Sequence, residues 1–518
     1  MDTFNSYVLF AMIVLPLVGA GIIMMIPVYR PSAVRNTAAA FALALMLLGF
    51  YTFLVYYLDY RDVGGMQFTR TWEWLQLPGT GALSDKGISL SLGVDGISAP
   101  MVLLSGIVTF TGVLMSWNIE PRNKDFFILY FLLLSGVFGV FVTLDMFFFF
   151  FFYELAVLPM YLLVGVWGSS SVFPTFSRTK EYSAMKLVIY LVAGSVLIWI
   201  AILAIFVEAG LGTFSIVDLG NRDLVIFSET FQRVFFPFLM VGFGVLAGMW
   251  PFHTWSPDGH VAAPTSVSMV HAGVLMKLGA FGIIRIGIQI LPEGAEDWMP
   301  VLIGLGTVNV LYGAWSAMAQ RDLKYVIGYS SVSHMGYVLM GIATLHPLGV
   351  SGAVLQMFSH GIMTALFFAV VGVIYDRTHT RDIDVLEGLA KRMGLTAAFF
   401  TVAGMASLGL PGLSGFVAEL LVFLGLFHSY GALGPVLGIL GIAGAGIMVV
   451  YILRLLAKVF FGPLGEQWSD QTDAQPLERF STTVLVGFIF LVGLFPFPFV
   501  SVIDSGVTDL LGALVRVV

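Results

Sequence analysis

The sequence predicts an all-α polytopic membrane protein of about 14 transmembrane helices, and three observations carry that expectation. Of 518 residues, 58% are hydrophobic and only 11% are charged, where an ordinary soluble domain carries about 25% charged residues. Apolar stretches of about 20 residues, the length a helix needs to cross a bilayer, recur from one end of the chain to the other. The basic residues collect in alternate loops between those stretches.

The apolar stretches centre roughly near residues 18, 45, 106, 134, 156, 195, 242, 277, 308, 333, 360, 412, 446 and 490 on the spanning-length rule. The first, Met1 to Arg30, lacks a basic leader and an A-x-A-like cleavage site, so it reads as a retained helix. The longest loops, from about Leu58 to Val94 and from about Phe461 to Arg479, read as caps and leave no room for a soluble domain. With the N-terminus outside, the cytoplasmic loops carry Arg30, Arg35, Arg122, Lys124, Arg178, Lys180, Arg321, Lys324, Arg377, Arg381, Lys391, Arg392, Arg454, Lys458 and Arg479. The opposite loops hold Arg61, Arg70, Lys86, Arg222, Arg233 and Arg516, an asymmetry that sets the orientation by the positive-inside rule. An even number of spans returns the C-terminus to the outside.

Two spans are interrupted, one by Trp250 to His260 (WPFHTWSPDGH) and one by Gly409 to Gly415 (GLPGLSG). They lie five spans apart. Paired breaks of this kind point to an inverted-repeat transporter, in which unwound backbone lines a polar cavity near the midplane.

The chemistry rests on charges inside the spans. Lys277 has about ten mostly apolar residues on either side, Glu154 lies equally deep in Phe147 to Trp167, and Glu419 follows Pro411 in the second broken span. A charge at the midplane costs about 2.5–3.5 kcal/mol on insertion scales, so its retention calls for a partner or a water-filled cavity. A proton path supplies both, and a buried ion pair that only fixes helix packing is the plainer alternative. Lys186 is shallower, where snorkelling to the interface competes with function. His334 and His360 sit near midspan, where an imidazole relays a proton through either nitrogen or serves as an ordinary hydrogen-bonding group. His253, Asp258 and His260 flank the first break without a standard zinc spacing, so no metal is expected there. The chain has no cysteine, which excludes thiolate-held iron–sulfur clusters and places any redox chemistry in partners.

The segments Glu154 to Tyr161, Pro251 to Trp255, Ala272 to Lys277, Gln320 to Lys324, Tyr329 to Gly336 and Gly409 to Gly412 together resemble one family. It is that of the antiporter-like membrane subunits of the proton-pumping NADH:quinone oxidoreductase, respiratory complex I, and the pattern is most similar to its subunit 4, or chain M. The resemblance runs from roughly Leu103 to Phe461. It implies 14 helices with the seventh and twelfth broken. Three leading helices (1–117) precede two inverted five-helix repeats (118–291 and 292–460), and a C-terminal loop and last helix follow (461–518). It implies proton translocation by Glu154, Lys186, Lys277 and Glu419, with His253, His271, His334, His360 and Lys324 as further relay candidates.

The family's seventh-span lysine falls here on Leu246. Lys186, helped by His253 or His271, is expected to take over as the partner of Glu154. The resemblance further implies no cofactor in this chain, with quinone, FMN and iron–sulfur clusters in partner subunits. The expected partners are other antiporter-like subunits, small membrane subunits and a peripheral redox arm, in a bacterial inner membrane. The competing readings are a subunit of a multicomponent sodium/proton antiporter and a structural spacer that no longer conducts.

Overall fold

The computed structural model describes residues 2–77, 81–82, 87–173 and 176–515. Lys86 and Arg516, assigned above to the sparsely charged face, lie outside them. Thirteen helices among the described residues are long and apolar enough to cross a membrane. Spans 1 to 6 are Phe4–Met25, Pro31–Tyr60, Ser98–Met115, Asn123–Val142, Met146–Trp167 and Lys180–Ala209. Spans 7 to 11 are Glu229–Ala262, Thr265–Ile288, Pro292–Ala319, Leu323–Ala343 and Pro347–Thr378. Span 12 is made of two short apolar helices, Gly394–Ser407 and Ser414–His428, and spans 13 and 14 are Leu433–Phe460 and Pro476–Leu494.

Side chains at the helix starts supply the acceptors that the first-turn N–H groups need. Asp145 accepts from the N–H groups of Phe147 and Phe148, Asp322 from that of Lys324, and Thr179 from that of Tyr182. The most buried windows belong to spans 3, 8, 10 and 11, at 94–100%, against 33% for spans 2 and 14. Span 8, which carries Lys277, is therefore the centre of the bundle.

Both expected breaks are present, and each has a local cause. Span 7 stops at Gly248, whose φ of +74° suits glycine, turns through Phe252–Thr254 and resumes as Trp255–Ala262. The backbone groups this frees cannot be left to lipid. Asn309 of span 9 satisfies two of them, donating to the Gly248 carbonyl at 2.9 Å and accepting from the Trp250 N–H at 2.5 Å. Span 12 breaks between Gly409 (φ +63°) and Gly412 (φ +91°). Span 8 is irregular as well, with π turns at His271–Leu275 and Ile283–Ile288 on either side of Met276–Gly282.

Three elements go beyond the sequence reading. The loop after span 2 carries an antiparallel hairpin, Gln67–Leu75 with Ile88–Val94, and the loop before span 6 a smaller one, Ser171–Phe173 with Phe176–Arg178. After span 14, an extra helix, Phe497–Val515, packs Phe499 against Phe53 and Phe358 while its Asp504 accepts from Ser351 at 2.6 Å. Acidic Asp504 and Asp509 among buried Val502, Ile503 and Val507 give this helix one polar side.

Candidate functional site

In the second half of the chain the predicted residues come together. Lys277 Nζ meets His360 Nδ1 at 2.8 Å and also donates to the carbonyl of Ala272, in the π turn just before it. The His360 and His334 rings stack at 5.2 Å. His334 Nδ1 lies 3.1 Å from the Gln356 amide nitrogen and 3.6 Å from Glu419 Oε1, and its Nε2 lies 2.9 Å from the Ser407 hydroxyl. Gln356 and Glu419 therefore both face Nδ1 of His334, while Ser407 faces its Nε2. Lys277, His360, His334 and Glu419 are between 0% and 4% exposed. Four titratable side chains on spans 8, 11, 10 and 12 thus form one row. The second break supports it, for a Cβ on Gly409 would stand 2.6 Å from Glu419 Oε2, so only glycine lets that carboxylate lie against the broken backbone.

The first half is built differently. Leu246 is fully buried, and Glu154 Oε1 has no hydrogen-bond partner among the described residues, with the Ser195 hydroxyl beside the carboxyl. The expected transfer of Lys186 to Glu154 is not what the structure forms, because Lys186 Nζ pairs instead with Asp258 Oδ2 at 2.8 Å. Ser195 lies nine residues beyond Lys186 on span 6, about 13 Å at 1.5 Å per residue, which puts Glu154 out of direct reach. His253 and His271 do not bridge the gap, since neither ring nitrogen of either has a hydrogen-bond partner among the described residues. His253 packs between Tyr312 and Tyr329, and His271 against His260 and Trp255.

Lys324 is buried but stands apart from the row, donating to the Ala263 carbonyl at 2.8 Å where span 7 ends. Next to it Arg381 makes an ion pair with Asp322 at 3.2 Å and donates to Ser169, Ser171 and the Val261 carbonyl. Burial pushes the Asp322 carboxyl above its usual range, although Arg381 and the capped N–H groups pull it down.

Sequence reasoning weighed Asp258 only as a metal ligand and passed over Gln356, Ser407 and Asn309. Asp258 was visible as an acid beside a helix break, but the sequence alone did not tie it to Lys186, a pairing that only the structure shows. Gln356, Ser407 and Asn309 are neutral and gave no comparable signal. Among the described residues, no group of three or more His, Cys, Asp or Glu is arranged to hold a metal ion. A cleft of about 970 Å³ opens on the basic face, lined by polar groups that include Ser116, Ser266, Lys324, Asp376, His379 and Glu478.

Fourteen crossings, two of them broken five spans apart, and a buried Lys–His–His–Glu row define an antiporter-like ion-translocating membrane subunit. Residues 143–443 match the NADH:quinone oxidoreductase/Mrp antiporter transmembrane family. The chain is 38% identical over 501 residues to NAD(P)H-quinone oxidoreductase chain 4 1 of Synechococcus elongatus, covering 96% of this chain and 90% of that one. It is also 38% identical over 490 residues to chain 4 2 of Thermosynechococcus vestitus, covering 93% and 87%. Among solved structures, the respiratory complex I from Thermus thermophilus with bound NADH contains a chain that superposes with a TM-score of 0.85 at 26% identity, covering 98% and 99%. The Mrp complex from a Dietzia species superposes at 0.81 with 18% identity over 99% of each chain, which shows the shared fold alone. The chain belongs to the NADH:quinone oxidoreductase/Mrp antiporter transmembrane family, as an antiporter-like subunit of the chain 4 type.

Proposed function

We propose that this chain carries protons across the bacterial inner membrane within a complex I-like quinone oxidoreductase, driven by redox chemistry in partner subunits. The observation that carries the reading is the row of Lys277, His360, His334 and Glu419 at the centre of the bundle, joined by a hydrogen bond, a ring stack and a close charge contact. A charge placed on Lys277 is felt at His360 within a hydrogen bond, and a proton leaving His334 finds Glu419 within one side-chain adjustment. Burial makes each of these groups sensitive to its neighbours' charge. His334 and His360 are relay groups in this scheme, while Lys324 orders the end of span 7.

Quinone, FMN and iron–sulfur clusters belong to the partners, which are other antiporter-like subunits, small membrane subunits and a peripheral redox arm. Residues 118–291 and 292–460 serve as the two inverted repeats, with both termini on the outer side, as the basic loops imply. The test is isolation of the tagged chain in mild detergent, identification of its companions by mass spectrometry, and assay of quinone reduction with proton uptake in vesicles. Companions carrying iron–sulfur clusters and quinone-linked proton movement are expected. Sodium-dependent proton exchange with small membrane subunits alone would refute the redox-driven reading in favour of the antiporter.

A further inference from the structure

Asp258 lies in the half of span 7 beyond the break and is 8% exposed. Its two oxygens face different helices, Oδ2 receiving Lys186 of span 6 at 2.8 Å and Oδ1 the Tyr325 hydroxyl of span 10 at 2.7 Å. One turn along span 6 from Lys186, the Tyr190 hydroxyl receives Thr254, within the turn of the break, at 3.1 Å. Five residues further along the same helix, Ser195 lies beside Glu154. Polar groups therefore lead from Asp258 and Lys186, past the break, toward Glu154, whose lysine position is taken by Leu246.

We infer that Asp258 and Lys186 are the proton-switching pair of the first half of this chain, with Tyr325 positioning the carboxylate. The inference rests on the proton-translocating reading above. A proton arriving at Asp258 Oδ2 neutralises the carboxylate and leaves Lys186 an unpaired ammonium. Lys186 then gives a proton that passes by way of the Tyr190 and Thr254 hydroxyls to the Glu154 carboxylate, which becomes the carboxylic acid. The neutral amine takes the proton held by Asp258, which restores the ion pair, so one proton enters and one leaves per cycle. A pair that only clamps spans 6, 7 and 10 together would need the charges but not the exchange.

Lys186→Arg separates these roles, because guanidinium keeps the charge and the pairing but does not give up a proton in a protein. The experiment compares the intact complex carrying Lys186→Arg, the neutral double variant Lys186→Met with Asp258→Asn, and Lys277→Met. It measures protons moved per quinone reduced, with assembly followed on native gels. Lys186→Arg and the double variant are expected to assemble and to lose as large a share of proton movement as Lys277→Met. A wild-type proton yield in Lys186→Arg, with Lys277→Met impaired, would overturn the inference and leave the pair a clamp. A wild-type yield in Lys277→Met as well would overturn the translocation reading beneath it. Turnover-induced infrared difference spectra give a second readout, since a carboxylic-acid band lost in Asp258→Asn and kept in Asp258→Glu supports protonation of this residue. No such band in the wild type contradicts it.

Discussion

Replacing Lys277 by methionine separates stability from function, and the structure sets the magnitudes. The ammonium is fully buried at the centre of the bundle, and holding a charge at such a depth costs about 2.5–3.5 kcal/mol on insertion scales. Its bonds to His360 and to the Ala272 carbonyl offset that cost, at about 1.5–3 kcal/mol for each hydrogen bond to a charged group. Lys277→Met removes both terms together, and its unbranched side chain fills most of the volume. It does leave the Ala272 carbonyl without its donor, at about 1–3 kcal/mol. The lost bonds and the stranded carbonyl outweigh the recovered charge cost by roughly 0.5–6.5 kcal/mol, so the melting transition in detergent should fall while the subunit still assembles. Proton movement per quinone reduced should fall sharply in the same preparation. A wild-type proton yield would refute the argument for Lys277 as a relay group. So would failure of the variant to assemble, for the lysine would then be needed to hold the bundle together.

Two further predictions concern groups at the membrane faces. Arg381→Met strands Asp322, which is 1% exposed and keeps its capping and serine contacts and the charge of neighbouring Lys324, at up to about 3–5 kcal/mol for breaking a buried pair from one side. Adding Asp322→Asn should restore most of the melting temperature read by tryptophan fluorescence, and equal melting of the single and double variants would contradict the pairing. Asp145, outside the spans and fully buried, is pushed up to about 7 by burial, against the pull of the Phe148, Ser89 and Phe147 N–H groups. Its folded value lies above its unfolded one, so its contribution to stability is fully present below about pH 4 and is lost as pH rises through about 7. Asp145→Asn keeps a capping acceptor and should flatten the melting profile between about pH 4 and 7, and parallel wild-type and variant profiles would count against it.

The elements legible in the sequence are those governed by a single strong rule. The spans follow from the length of apolar runs, and each of the fourteen centres falls within its crossing. The breaks follow from glycine and proline, and Lys277, Glu154 and Glu419 from the cost of a charge in an apolar run. The hairpin at Gln67–Leu75 was hidden because its alternation is short and its partner strand, Ile88–Val94, comes well further along the chain. The last helix was hidden because Asp504 and Asp509 interrupt its apolar run, which suits a helix lying along the protein. At the site, distance along the chain gave no measure of depth. Lys186 and Glu154 look like natural partners on neighbouring spans, yet the Ser195 that lies beside Glu154 is about 13 Å of helix rise from Lys186 along span 6, and the acid that meets Lys186 comes from span 7.

The two breaks also differ in how their freed backbone is satisfied, and this bears on how the halves work. The first is held by Asn309, a neutral side chain with two hydrogen bonds to the backbone leading into the turn, at Gly248 and Trp250, so no titration alters it directly. The second has a titratable group in contact with it, since Glu419 Oε2 lies where a Gly409 side chain would be. A change in the charge of Glu419 therefore acts at once on the broken backbone of span 12, whereas span 7 answers only through a group some distance from its break. Asp258, four residues past Thr254 and tied to spans 6 and 10, is so placed. Lys277 meets the second device through His360 and His334, whereas span 8 meets the helix that carries Asp258 through the neighbouring Met276, whose sulfur lies 3.3 Å from His260 Nε2.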